Sequence, residues 1–247
     1  FFFFFQVLFL FNLNSSSDKK EEKNKIRTYT ERRFLIHNGR EAFEMDKDVY
    51  KYDVNGNETE LKRYSGDSLL FTYHSIYKYN SKGLKTEESV YFDDDTVLQK
   101  TTFLYNSNGN MVESFWYAKD QKLQSRTKYF YDSGFNNTAS VSFSIAGDTS
   151  GKTFSKFDKQ GNKIEEISYC FNSSLDAHTM SQWRYNEKKT IVERLLYRPA
   201  YKLSPVTIYK YYDIVYDKNN NWIAQKEAVG DFVKQDTVSY KREIEYY

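Results

Sequence analysis

Side chains able to carry out acid–base, metal or nucleophilic chemistry are few in this sequence and stand far apart. The three histidines, His37, His74 and His178, lie outside the spacings at which neighbouring histidines share a metal ion. The single cysteine, Cys170, has no accompanying histidine motif, so we predict a small core residue. The three aspartates at 93–95 lack the glycine and closing glutamate of a calcium loop, which predicts a charged hairpin tip. We therefore expect no catalytic residue, no metal site, no cofactor and no enzyme.

Aromatic side chains are the other candidate functional groups, because they make up 19% of the chain, with 23 tyrosines and 20 phenylalanines. Two uses are open. In one, the rings pack against each other as the core of a sheet. In the other, exposed rings form a platform on which sugar rings stack, and the residues for this platform are Tyr77, Trp116, Tyr129, Trp183 and Trp222.

Charge and composition narrow the class of protein. A net charge of +2, with lysines interleaved among acidic residues, argues against a dedicated nucleic-acid binder. Charged residues are 28% of the chain, so most of it is neither disordered nor membrane-spanning. One cysteine leaves no intramolecular disulfide framework. Strands with one aromatic face and one charged face would produce this mixture.

A repeated pattern sets the expected fold. Seven segments place an aromatic residue before Asp or Asn, at spacings of 26 to 31 residues. Gly follows four residues later in four segments, and Asn follows five residues later in five. We call the aromatic residue of each segment its anchor, and the anchors are Tyr52, Tyr79, Tyr105, Tyr131, Phe157, Tyr185 and Tyr216.

Each part of the segment favours a chain reversal. An Asp or Asn side chain accepts a hydrogen bond from the backbone two residues later, and Gly supplies a positive φ without steric strain. A second turn near the middle of most units, such as Ser65–Asp67 or Gly147–Asp148, makes each unit a hairpin. Aromatic residues two positions before the anchors share the anchors' face. The sequence therefore predicts an all-β protein of about 14 strands, with tandem hairpin repeats forming one large twisted antiparallel sheet or spiral.

The segment Tyr52-Asp53-Val54-Asn55-Gly56-Asn57 resembles the YD repeat of Rhs-type bacterial cell-surface proteins. Further good copies begin at Tyr105 and Phe157, and the resemblance spans about residues 50–247. It implies a spiralling antiparallel sheet in an envelope or extracellular setting, and it brings no catalytic residue. Rhs proteins are far longer, have shorter units and enclose a toxin, so their role as a shell is not carried over.

The N-terminal residues FFFFFQVLFLFNL are the most apolar stretch of the chain. They are shorter than the roughly 20 residues of a transmembrane helix and suit the apolar core of a secretory signal. A buried N-terminal strand is the alternative. We expect residues 1–17 to be a signal or retained anchor, 18–26 a charged linker, and 27–247 a single domain of about seven units. This predicts export to the periplasm, the outer membrane or the surface of a bacterium.

Two functions remain open. The first is a non-catalytic scaffold or accessory subunit of a cell-envelope assembly, with an envelope or outer-membrane protein as partner and no nucleic acid. The second is a carbohydrate-binding module. An open sheet leaves free edges, and the C-terminal run at 241–247 either protects one with its charges or adds to a partner strand. Together with the proline-containing stretch at 197–206, this edge predicts a partner contact through Tyr197, Arg198, Tyr201, Lys202 and Arg242.

Overall fold

A computed structural model describes residues 25–37, 40–93, 96–171, 177–197, 207–230 and 235–246. The expected signal at 1–17 and most of the expected linker lie outside the described residues. In chain order the strands are β1 (Ile26–His37), β2 (Arg40–Tyr52), β3 (Glu58–Ser65), β4 (Ser68–Tyr79), β5 (Lys85–Phe92), β6 (Thr96–Tyr105), β7 (Met111–Ala118), β8 (Leu123–Tyr131), β9 (Asn137–Ser144), β10 (Thr149–Phe157), β11 (Lys163–Cys170), β12 (Ala177–Tyr185), β13 (Ile191–Tyr197), β14 (Thr207–Tyr216), β15 (Trp222–Gly230) and β16 (Gln235–Tyr246).

These strands pair antiparallel in chain order, and the first also pairs with the last, so the sheet closes into a sixteen-stranded barrel. The closing pair runs from Ile26 opposite Tyr246 to Leu35 opposite Val238. The predicted all-β architecture of tandem antiparallel hairpins is confirmed. The prediction of an open sheet with two free edges is wrong, because β16 pairs with β15 on one side and with β1 on the other.

All seven predicted turns are present, and each holds the predicted hydrogen bond. The side-chain oxygen of the Asp or Asn accepts the backbone N–H two residues later at 2.8 to 3.0 Å. The same oxygen accepts a second N–H from the residue four positions later. The residue four positions after each anchor has a positive φ, and these residues are Gly56, Gly83, Gly109, Phe135, Gly161, Lys189 and Asn220.

Tyrosine hydroxyls join most repeats to the one before them. Tyr105 donates to the backbone carbonyl of Lys85 at 2.7 Å, just after the preceding turn, and Tyr131 and Tyr185 make the equivalent bond one and three repeats later. Tyr79 instead donates to Asp53 within the preceding turn, at 2.7 Å. Phe157 is the one anchor without a hydroxyl, so the series is interrupted there.

The last strand supplies a further tyrosine of this kind, which the repeat pattern did not include. Tyr246 donates to Asp217 and accepts a 2.7 Å hydrogen bond from Asn221, both in the seventh turn. Strands β1 and β16 flank the seven hairpins, which raises the strand count from the expected 14 to sixteen.

The two faces of the sheet differ as predicted. Phe157 of β10 and Tyr29 of β1 line one cavity although their strands lie on different sides of the barrel, which identifies the anchor face as the inner one. The outer face carries cross-strand ion pairs together with separate exposed apolar side chains such as Leu104 and Phe130. Four of these pairs are Lys51–Glu60 at 2.8 Å, Lys78–Glu87 at 2.6 Å, Lys156–Glu165 at 2.6 Å and Arg184–Glu193 at 3.0 Å.

The positive φ in the turns gives a stability prediction. Gly109 has φ of +84°, and a Cβ there would meet only Leu84 Cδ1 at 3.9 Å, so strain and not crowding opposes a side chain. We expect Gly109→Val to lower the free energy of unfolding by about 1 to 2 kcal/mol in urea denaturation. The control is Gln121→Gly, because Gln121 already has φ of +61° and should lose no stability. Equal stability of Gly109→Val and the native chain would contradict the turn geometry.

Candidate functional site

The aromatic residues that the sequence predicted as a sugar platform lie in the lumen of the barrel. Tyr77, Trp116, Tyr129, Trp183 and Trp222 all lie on the inner face, so they do not form an open platform on the outside. Several are already engaged. Trp183 is only 7% exposed, Trp116 Nε1 donates to Gln99 at 3.1 Å, and the Tyr129 hydroxyl is 3.0 Å from that of Ser114.

The inner side of strands β16, β1, β2 and β3 forms a dense wall that we call the closure seam. Its ion pairs are Arg242–Glu31, Arg33–Asp46 and Arg63–Asp48, and all six side chains lie on the inner face. The pairs Arg33–Asp46 and Arg63–Asp48 are bidentate, and such pairs fix orientation as well as charge.

A buried tyrosine stack lies beside these ion pairs. Tyr29 and Tyr50 stack with ring centroids 4.5 Å apart, and Tyr52 lies 5.9 Å from Tyr29. Burial raises the pKa of Tyr29 to about 12, so its hydroxyl stays protonated and neutral at physiological pH. The seam therefore combines an apolar stack with satisfied ion pairs at the place where the barrel closes.

Glu58, beside the closure seam, is the most perturbed acid of the lumen. Burial raises the pKa of its carboxyl to about 7, and the nearby carboxylates of Glu88 and Asp48 raise it further. Glu58 Oε2 is buried without a hydrogen-bond partner among the described residues. An acid placed in this way is a destabilising group that is partly protonated near neutral pH.

A cavity of about 610 Å³ opens in the lumen at the end that carries the seven turns. Its wall contains four cations, Lys163, Lys188, Lys189 and Arg242, and the described lining residues include no Asp or Glu. Aromatic and amide side chains complete the wall: Tyr29, Phe157, Tyr185, Tyr211, Trp222, Asn162, Asn220, Asn221 and Gln225. This cavity can take a ligand of moderate size that carries negative charge.

The sequence pattern predicted a functional role for two of these lining residues, Trp222 and Arg242, and named Phe157 and Tyr185 only as anchors of the repeat. Among the other lining residues, Lys189 departs from the repeat pattern in the sequence, because it occupies the turn position that is Gly in four other repeats. The remaining lining residues converge only through barrel closure, which no short-range pattern shows.

The structure separates the residues predicted to form a partner contact. Tyr197 ends β13 at the barrel end away from the seven turns, whereas Arg242 lies in the lumen and pairs with Glu31 at 2.7 Å. Arg198, Tyr201 and Lys202 lie outside the described residues. Strand addition is excluded at Lys241, which pairs with β15 on one side and with β1 on the other, whereas residues 242–246 pair with β1 alone.

The residues first considered for chemistry are scattered in the described ranges. His74 stacks on Tyr91 at 4.9 Å, and His178 stacks on Tyr169 at 5.7 Å. Cys170 is exposed, so its prediction as a core residue is wrong. In these ranges no group of three or more His, Cys, Asp and Glu side chains could hold a metal ion. No helix among the described residues is long and apolar enough to cross a membrane.

The strand pairing defines the class of fold, a closed antiparallel barrel, and comparison with known proteins finds solved structures that resemble it. The structure resembles a porin-like protein from Bacteroides uniformis with a TM-score of 0.56 and 9% identity, over 90% of this chain and 98% of that one. A porin-like protein from Bacteroides vulgatus gives a TM-score of 0.49 and 12% identity over the same shares. A Tc holotoxin pore of Photorhabdus luminescens gives a TM-score of 0.33 and 12% identity, over 85% of this chain and 13% of that chain. No family model and no curated protein sequence matches the chain.

The pKa of Glu58 predicts how stability depends on pH. Its carboxyl binds a proton more tightly in the folded chain, with a pKa of about 7, than in the unfolded chain, near 4.5. Stability that is fully present below pH 4.5 is therefore lost as the pH rises through 7. We expect Glu58→Gln to raise the free energy of unfolding by roughly 1 to 3 kcal/mol at pH 8 and to change it little at pH 4.5.

The control for this prediction is Glu165→Gln. A hydrogen bond from Lys156, followed by one from Gln182, lowers the pKa of Glu165, so its removal should bring no gain at pH 8. Denaturant unfolding of both variants at the two pH values checks the difference. A Glu58→Gln variant no more stable than the native chain at pH 8 would show that Glu58 is not destabilising.

Proposed function

We propose that this protein is a non-catalytic β-barrel scaffold, or accessory subunit, of a bacterial cell-envelope assembly. The closed sixteen-stranded barrel is the observation that carries the proposal, because the inner side of its closing strands is occupied by ion pairs that hold the structure together. The apolar sequence at 1–13 supports export. Kinship with YD-repeat proteins is part of the proposal, and the seven repeated turns support it.

The charged outer face supports a barrel surrounded by water. Lys78, Lys156 and Arg184 are about 70% exposed on that face, and each pairs with a glutamate on the neighbouring strand. A charged side chain on the lipid-facing side of a membrane barrel costs about 2 to 4 kcal/mol at the bilayer midplane. We therefore place the barrel in the periplasm or at the cell surface, bound to the envelope through a partner protein or the apolar segment.

The partner contact is proposed near the connection between β13 and β14. Tyr197 leads into this connection, and residues 198–206 contain both prolines of the chain. Prolines interrupt strand pairing, and long connections often carry contacts with other molecules. Lys210 lies on the outer face of β14, close to where this connection ends, and opposite Glu193 in the register. A label attached at position 210 would therefore be blocked by any molecule that covers this side of the barrel.

Cysteine labelling in native envelopes tests this proposal. Lys78→Cys, Lys156→Cys and Lys210→Cys, each in the full-length chain with Cys170→Ser, place one thiol on β4, β10 and β14. A membrane-impermeant maleimide should modify the first two rapidly. The third should be protected until a detergent-free salt wash removes the partner.

Two results would contradict the proposal. Protection of all three thiols until detergent is added would place the barrel in lipid. Rapid modification of all three in native envelopes would show that no partner covers the β14 side.

A carbohydrate-binding function would have to use the lumen, since the aromatic series faces inward. The cavity at the turn end is the observation that favours it.

A further inference from the structure

The turn-end cavity contains two ammonium groups with no ion-pair partner among the described residues. Two of its four cations are neutralised, because Lys163 pairs with Glu166 at 2.6 Å and Arg242 pairs with Glu31 at 2.7 Å. Lys188 has only a 3.4 Å hydrogen bond to the amide oxygen of Asn220 and lies 4.2 Å from the centroid of the Tyr216 ring.

Lys189 is held in a backbone conformation that its residue type disfavours. Its φ is +59°, at the turn position that is Gly56, Gly83, Gly109 and Gly161 in four other repeats. A left-handed conformation costs an L-residue with a side chain roughly 1 kcal/mol relative to glycine. Hydrogen bonds from Asn162 are the main cause of the lowered pKa of Asp158, and the Lys189 ammonium lowers it a little further. Phe135 and Asn220 have the same positive φ at the equivalent turn position, so this conformation belongs to the repeated turn. What is particular to Lys189 is that the turn places its ammonium group at the cavity.

Aromatic rings lie deeper in the same cavity. Phe157, Tyr185 and Tyr211 line its wall, and Tyr185 is oriented by its 2.7 Å hydrogen bond to the Lys163 carbonyl. Buried Gln225 adds an amide that can both donate and accept hydrogen bonds. Sugar rings place C–H groups against such aromatic faces and bond amides with their hydroxyls. The volume of about 610 Å³ is within the range of small-ligand sites.

We propose that this cavity binds an acidic carbohydrate, a short sugar chain or single sugar that carries a carboxylate or phosphate group. The sugar ring packs in the aromatic wall. The ammonium groups of Lys188 and Lys189 bind the anionic group at the cavity mouth, where both side chains are exposed. The site stands independently of the partner contact proposed above, because it faces the lumen.

Calorimetric titration of the full-length protein tests this assignment. The probes are trigalacturonate and mannose 6-phosphate, with maltotriose as neutral sugar and inorganic phosphate as anion without a sugar. At least one acidic sugar should bind with a Kd below about 1 mM, and both controls should bind at least about tenfold more weakly. Which acidic sugar binds distinguishes a carboxylate from a phosphate.

Two double variants, each of which removes two positive charges, distinguish binding at this cavity from a general effect of the protein's charge. Lys188→Gln with Lys189→Gly should weaken binding at least about tenfold, and the relief of positive φ should leave stability unchanged or raised. Lys78→Gln with Lys156→Gln removes two outer-face charges and should leave binding unchanged.

The assignment is overturned if maltotriose binds as tightly as the acidic sugars, which would indicate a neutral-glycan site. It is also overturned if inorganic phosphate binds as tightly, which would indicate a simple anion site. Undiminished binding by the Lys188→Gln, Lys189→Gly variant, equal loss in the outer-face variant, or no binding of either acidic sugar at millimolar concentration would each overturn it as well.

Discussion

The barrel depends on one hydrogen-bonding pattern, in which the side-chain oxygen of an Asp or Asn accepts backbone N–H groups two and four residues later. This pattern occurs after all seven anchors, from Asp53 to Asp217. It reverses the chain at a fixed place and so sets the register of the two strands that follow and precede it. A register slip of one residue would turn every aromatic side chain to the outer face, so the turns also decide what fills the lumen.

Hydrogen bonds to these turns also connect successive repeats around the barrel. Except at Phe157, the anchor tyrosines from Tyr79 onward bond to the turn of the preceding repeat or to the residue just after it, and Tyr246 continues the series at the seventh turn. The pair β1–β16 then leaves no open edge among the described strands, which removes the usual route to edge-to-edge association. Arg242 connects this closure to the cavity, because it pairs with Glu31 across the closing strands and lies over the Trp222 ring.

Much of the fold could be predicted because its determinants are local. The Asp or Asn side chain, the Gly four residues after the anchor and the alternation of faces all act within one hairpin, and the structure confirms them from Tyr52 to Tyr216. Closure could not be predicted in this way, since Thr30 and Glu243 meet across 213 residues without a motif that marks either strand. The turn-end cavity could not be predicted for the same reason. Tyr211 and Gln225 line it only because barrel closure brings β14 and β15 back toward β1.

A disulfide across the closing strands tests barrel closure most directly. Thr30 and Glu243 face each other on the outer side of β1 and β16, at the Cα separation of paired antiparallel residues. Thr30→Cys with Glu243→Cys, in a Cys170→Ser background, should form an intramolecular disulfide in the folded monomer under mild oxidation. Thr30→Cys with Lys156→Cys, on β1 and β10, should not. A folded monomer in which Thr30→Cys and Glu243→Cys stay reduced would show that the sheet is open and would contradict the closed barrel.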